Sequence, residues 1–409
     1  MFREYKKTIS KYIWLQFMTL SMAKKIFLLF LILIISLGCS MRNFLYSKIY
    51  CPDKIKGNYE IEIPFEYVNG LLLLNVKIND IEGKFLFDSG STSCISHDFF
   101  NKSDFETTSY TKLSDINDVT AKKIMIRAEI KLDDIDISNY KFTVLDNLPF
   151  NDCDKIDGIL GNEIFSLGYV FFDNEKKVIK ITNNQNCFNK QIMEYSKLKL
   201  HPSIGNLIIK IKNKKYLIDT GYLNGFILEK YSKRRLKDKE YSHISSVISG
   251  INSDKIQESF FYMDEYKIKH EVYLGQVKAN PEVNYRLLGC YWFCSNNILI
   301  DMNNKRIYIK NIKEKITNPQ LNTRKISFYY TSNKVLISAL SNEISGLRIN
   351  DTVRKINNID FRFVKNDCEF DEKLQFIDYK KTIELEIIRN NQIHIYTIQQ
   401  PLKIIKYGN

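Results

Sequence analysis

Residues 75–91, NVKINDIEGKFLFDSGS, return in altered form at 208–222 as IIKIKNKKYLIDTGY: a polar hairpin turn, an aromatic-led apolar strand, then Asp-Ser/Thr-Gly. A second echo follows each copy, DGILGNEIFSLGYVFFDNEKKVIKI at 157–181 and YRLLGCYWFCSNNILIDMNNKRIYI at 285–309. The landmarks keep their order and nearly their spacing. Asp88 precedes Gly161 by 73 positions and Asp219 precedes Gly289 by 70, and from that glycine to the next landmark, Asp173 or Asp301, is 12 in both copies. A chain that carries one unit twice is constrained to fold as two similar halves. Only 16 glycines occur in 409 residues, yet Gly90, Gly161, Gly221 and Gly289 all fall on these landmarks. Glycine there fits a sharp turn or a close backbone approach that a side chain would block.

Between residues 60 and 315 short β-like runs such as NYEIEIPFEYV, LLLLNVKI, KKIMIRAEIKL and KVIKIT follow one another, separated by Asn, Asp and Gly turns. Sustained helical periodicity is scarce, so the chain reads as mostly β, of sandwich or barrel type. Its length exceeds one ordinary hydrophobic core and predicts two or three domains.

Two strands ending in Asp-Ser/Thr-Gly can be brought face to face by a pseudo-twofold axis. Carboxylates a few ångströms apart cannot both ionise easily, so Asp88 and Asp219 would share a proton. One then acts as a base on a water between them while the other protonates a carbonyl oxygen, which hydrolyses an amide with neither metal nor cofactor. Ser89 and Thr220 would hydrogen-bond across the interface, and Gly90 and Gly221 would let backbone N–H groups approach the carboxylates. Asp173 and Asp301 precede turn sequences, DNEKK and DMNNK, and read as hairpin starts outside the site. Five histidines show no metal-ligand spacing, and no Gly-x-Ser-x-Gly elbow exists for a serine nucleophile.

FLFDSGST, YLIDTGY, DGILG and RLLG resemble the aspartic peptidases, the pepsin-like and retroviral-type family, over residues 58–315. The resemblance implies a bilobal pair of β-barrels related by duplication, with lobes at 58–190 and 195–315. It also implies a polypeptide substrate, Asp88 and Asp219 as the catalytic pair, and Ser89 and Thr220 as interlocking hydroxyls. Ser91 stands where the family has Ser, Thr or Ala, and would donate to the outer oxygen of Asp88. The second loop departs from the pattern with Tyr222, which leaves open a homodimer using Asp88 alone and an inactive peptide-binding protein. Flap hairpins over the cleft are expected at 113–123 and 247–257.

After the polar stretch 313–325, the segment KVLISALSNEISGLRINDTVRKINNIDF (334–361) resembles a PDZ domain. Ser345-Gly346-Leu347, Ile349-Asn350-Asp351 and Ile356-Asn357-Asn358 follow the family pattern, with Asn350 and Asn358 at usual glycines. The resemblance implies a small α+β domain over 324–405 that takes an extended peptide or chain terminus as an added strand. At the other end, Met22 to Cys39 reads as two lysines, an apolar run from Ile26 to Ile35, small residues and a cysteine. That pattern suits a signal-peptide core and resembles a bacterial lipoprotein signal with Cys39 as the lipidation candidate. An uncleaved membrane anchor within residues 1–39 is the alternative; both predict an exported, periplasmic or cell-envelope, membrane-associated protein. The net charge of +13 comes from dispersed lysines with no arginine-rich block, and predicts a solvated basic surface with no nucleic-acid partner. Eight cysteines without a CxxC pair read first as packed thiols, with some pairing open in an oxidising compartment.

Overall fold

A computed structural model describes residues 51–399 apart from 69, 116, 118, 147, 149–154, 202–204, 224–225, 237–238, 240, 250–252, 313–324 and 380. The apolar N-terminal run, Cys39 and most of the stretch before the C-terminal module lie outside the described residues. Cys51–Asn409 forms one compact unit.

The described chain is mostly β. Alternation sets the first strands: in Glu60–Val68, Ile61, Ile63 and Phe65 turn inward while Glu60, Glu62, Pro64 and Glu66 face solvent. Leu71–Ile78 and Ile81–Phe87 form a hairpin through Asn79-Asp80, both with positive φ (46° and 65°). Ile208–Ile211 and Lys214–Ile218 form another through Lys212-Asn213 (45° and 66°). Two consecutive left-handed residues are the mark of a tight turn whose twist matches that of the flanking strands.

Each hairpin feeds the same pairing scheme. Ile81–Phe87 runs parallel to Gly158–Leu160, which pairs antiparallel with Cys94–Ser96, itself parallel to Ile135–Leu145. In the second half Lys214–Ile218 runs parallel to Leu287–Leu288, which pairs antiparallel with Ile227–Lys230, itself parallel to Glu271–Asn280. The halves are joined where Tyr169–Asp173 pairs antiparallel with Asn296–Asp301, Phe171 opposite Leu299. Asp173 and Asp301 each accept a turn N–H, from Lys176 at 3.0 Å and Asn304 at 2.9 Å. One apolar core runs through both halves, and Phe172 of the first meets Phe293 of the second edge-on with ring centroids 4.8 Å apart.

A separate apolar cluster holds the C-terminal module, with strands Ile326–Thr331, Lys334–Ser341, Thr352–Ile356, Ile383–Arg389 and Gln392–Ile398 and the helix Asp367–Gln375. Asn350 has φ of 68°, a left-handed conformation that asparagine tolerates better than most side chains. The module is joined to the second half by a shared sheet, since Ser242–Ser249 pairs antiparallel with Lys334–Ser341, Ile244 opposite Ser341.

Candidate active site

The two Asp-x-Gly loops follow buried strands that end at Phe87 and Ile218. Each aspartate is anchored by its own N–H to the strand behind it, Asp88 to Leu160 O and Asp219 to Leu288 O, both at 3.0 Å. Each loop then turns back, the Ser91 N–H reaching Asp88 O and the Tyr222 N–H reaching Asp219 O. Behind the loops, Asn162 N–H donates to Ser91 O at 2.9 Å and Cys290 N–H donates to Tyr222 O at 3.0 Å. The residues after landmark glycines 161 and 289 therefore hold the two turns in the same way. A Cβ at Gly161 would lie 2.6 Å from the Ser91 carbonyl, so only glycine lets this crossing strand pass.

The loops meet through their hydroxyls. Ser89 N–H donates to Thr220 Oγ1 at 2.9 Å and Thr220 N–H donates to Ser89 Oγ at 3.1 Å. The same hydroxyls donate onward, Ser89 to Ile218 O at 2.9 Å and Thr220 to Phe87 O at 2.8 Å. Both side chains are fully buried, so this reciprocal exchange satisfies polar groups that water cannot reach.

It also sets the carboxyls against one another. A Cβ at Gly90 would sit 2.8 Å from Asp219 Cγ, and one at Gly221 would sit 2.6 Å from Asp88 Oδ2. The Asp88 carboxylate accepts from Gly90 N–H at 2.8 Å, and the two carboxyl groups hydrogen-bond each other. Burial is the main cause that raises both above the ordinary aspartate range. For Asp219 the charge of Asp88 raises it further, whereas Asp88 is held lower by N–H donors and by the bond from Asp219. Two buried carboxyls in such contact cannot both ionise easily, so they titrate as one pair that shares a proton.

One residue, Ser91, behaves differently from the sequence reading. The Ser91 hydroxyl donates to Thr92 O at 3.0 Å instead of to Asp88, because the tight turn aims its side chain along the loop. Tyr222 turns into an apolar cluster with Leu228, Val283 and Leu287, and its buried phenol has no hydrogen-bond partner among the described residues. Burial, then the nearby Asp219, pushes that phenol well above its usual range.

The sequence reading missed Ser93 and Glu163. Ser93 Oγ accepts from Gly161 N–H at 2.8 Å and donates to Glu163 at 2.8 Å, bracing the first loop from behind. Burial raises the Glu163 carboxyl to about 7. Its one signal was a position two residues after a landmark glycine.

Two hairpins meet at their tips. Glu106–Ser114 with Thr120–Leu132 forms the first, and Ser242–Ser249 with Asp254–Ile268 the second. Asn117 Nδ2 donates to Ile248 O at 3.0 Å and Ser253 O at 2.9 Å, while Ser253 Oγ donates to Asp115 Oδ2 at 3.0 Å. These tips fall within the segments expected to be flaps.

Residues 74–164 match the model of an aspartyl protease family. This part of the chain is an aspartyl protease-like domain. The match takes in the Asp88 loop and the crossing strand through Gly161 and Glu163. No curated protein matches the chain.

Proposed function

We propose that the chain is an aspartic endopeptidase whose two halves are the lobes of one bilobal enzyme, with Asp88 and Asp219 as its catalytic pair. The reading is carried by one observation: each carboxyl lies against the other loop's glycine, with Ser89 and Thr220 exchanging hydrogen bonds across the join. In this mechanism Asp88, ionised, takes a proton from a water held between the carboxyls as its oxygen attacks the peptide carbonyl carbon. Asp219 gives its proton to the carbonyl oxygen. Collapse of the resulting diol returns a proton to Asp219, and Asp88 passes its own to the departing amine nitrogen. Because the second loop of the same chain already faces Asp88, the single-chain enzyme is favoured over a homodimer using Asp88 alone.

The C-terminal module fits the role of a PDZ-like peptide-binding domain. Among the described residues Ile326–Thr331 pairs only with Lys334–Ser341, which leaves an edge for an added strand. Since Lys334–Ser341 continues into the second hairpin, a peptide held there would lie on the same sheet as a flap. An exported, membrane-associated protein lipidated at Cys39 completes the proposal. Incorporation of labelled fatty acid that is lost in Cys39→Ala would support this; unchanged labelling would discard it.

The peptidase reading is tested by incubating the protein with an unfolded polypeptide across a pH series beside Asp88→Asn and Asp219→Asn. Cleavage abolished by both supports the dyad. Loss with Asp88→Asn alone supports the homodimer, and no cleavage at any pH supports a binding protein.

A further inference from the structure

From Gly275 onward the strand Glu271–Asn280 buries both of its faces. Tyr273, Val277 and Ala279 belong to the main core, so Gln276, Lys278 and Asn280 turn to the opposite face. That second face leads from the hairpin tips to the dyad loop. At one end Asn280 Nδ2 donates to Gln257 Oε1 at 2.6 Å, and Gln257 Nε2 reaches Asn117 Oδ1 at 3.4 Å on the first hairpin's tip. At the other, Lys278 lies opposite Leu228, which packs on Tyr222 beside Asp219.

Lys278 stands between these ends, only 5% exposed. Its ammonium lies over the ring of Phe261, 5.8 Å from the centroid, and no described carboxylate pairs with it. The nearest buried acid in the strand pattern, Glu229, belongs to the core side, where it accepts from Tyr262 and approaches Lys214. A buried, unpaired ammonium is costly, and folded proteins rarely retain one without an anion to receive. Burial alone brings its pKa down to about 8, so it carries its charge at neutral and acidic pH.

Resting on the peptidase reading above, we propose that Lys278 is a specificity-determining residue of this cleft, its ammonium receiving a carboxylate of the bound polypeptide. The carboxylate comes from an aspartate or glutamate side chain or from a chain terminus, and the two sources are separable.

The test uses the full chain at pH 6 and quenched peptides in which one Glu or Gln is moved through three positions on each side of the cleaved bond. A further pair differs only in a free or amidated C-terminus. At one position, or for the free terminus, the acid is expected to exceed its amide in kcat/KM by about tenfold, as a charge-assisted contact in a dry site implies. Lys278→Met should bring that ratio to about one and Lys278→Arg should keep it. Lys278→Gln serves as a second neutral variant, and the thermal midpoint of each variant reports folding. A ratio unchanged by Lys278→Met at every position overturns the proposal. Should no peptide be cleaved, anisotropy of the same labelled peptides gives the ratio of dissociation constants. An acid preference lost in Lys278→Met would then uphold the lysine's role and discard the peptidase; no preference in any variant would discard the lysine's role.

Discussion

The walls beside the two aspartates are built from equivalent strands that carry different side chains. In the first half Cys94 lies opposite Ile159 and Thr143, and these continue into an apolar cluster with Leu71, Leu73, Leu86 and Leu145. In the second half Leu228 lies opposite Leu287 and Lys278, so the places of Thr143 and Leu145 are taken by Lys278 and Asn280. What the halves hold in common is the part that sets backbone against backbone: the Asp-x-Gly turn, the crossing hydroxyl and the glycine behind it. Duplicated units can diverge wherever a side chain meets solvent or ligand, but not where two main chains cross at contact distance. Similar backbone turns carrying dissimilar side chains are the result.

The common part gives the largest expected effects. Gly90→Ala and Gly221→Ala each drive a Cβ into the opposing carboxyl, at 2.8 Å from Asp219 Cγ and 2.6 Å from Asp88 Oδ2. Either should lower kcat/KM by about 100-fold or more, since displacement of a reacting group by about 1 Å costs that much. Equal losses would uphold the shared frame. Activity surviving Gly221→Ala alone would break it, leaving only the first loop at work.

A difference between the halves should appear in the pH dependence of stability. Glu163 braces the first loop, while the same place after Gly289 is Tyr291, which does not ionise in the acid range. The folded-state pKa of Glu163 is raised from 4.5 to about 7. Its contribution is therefore fully present below about 4.5 and lost as pH rises through about 7, a swing of about 3 kcal/mol for a fully buried carboxyl. Urea titrations of the wild type and Glu163→Gln should diverge across that window. Parallel curves would mean that the first loop needs no acid behind it.

Next come the crossing hydroxyls. Thr220→Val strips the acceptor from the buried Ser89 N–H, and Ser89→Ala strips it from the Thr220 N–H. Each should cost about 1–3 kcal/mol, the penalty for a buried donor left unsatisfied, whereas Thr220→Ser should cost less. Calorimetry that found one substitution costly and the other silent would show the exchange to be one-sided.

The parts of this arrangement that were legible in sequence are those fixed by local chemistry. Gly161 could be picked out because few other residues tolerate a backbone at contact distance, and Asn79-Asp80 because left-handed turns select such residues. The aspartates emerged from repetition, which no single Asp-Ser-Gly could have supplied. Lys278 was not legible. In QVKAN it looks like the solvent-facing member of an alternating strand, and only the sheet's second covered face makes it a buried charge. The Ser91 hydroxyl was misplaced for a related reason: its direction depends on the turn, not on the residue type.

Tyr222 gives the smallest effect and the finest test of how far the halves have diverged. Its N–H reaches the Asp219 carbonyl, as Ser91 N–H reaches that of Asp88, so the departure lies wholly in the side chain. The ring fills space among Leu228, Val283 and Leu287, and the hydroxyl is buried without a partner among the described residues. Removing a hydroxyl that lost its water and gained nothing should stabilise the fold or leave it unchanged, so Tyr222→Phe is expected to raise stability by up to about 1 kcal/mol. Cleavage should be nearly unaffected, because the apolar packing and the backbone turn both persist. If Tyr222→Phe instead lowers kcat/KM tenfold, the phenol takes part in the reaction beside Asp219. The second loop would then differ from the first in chemistry as well as in its walls.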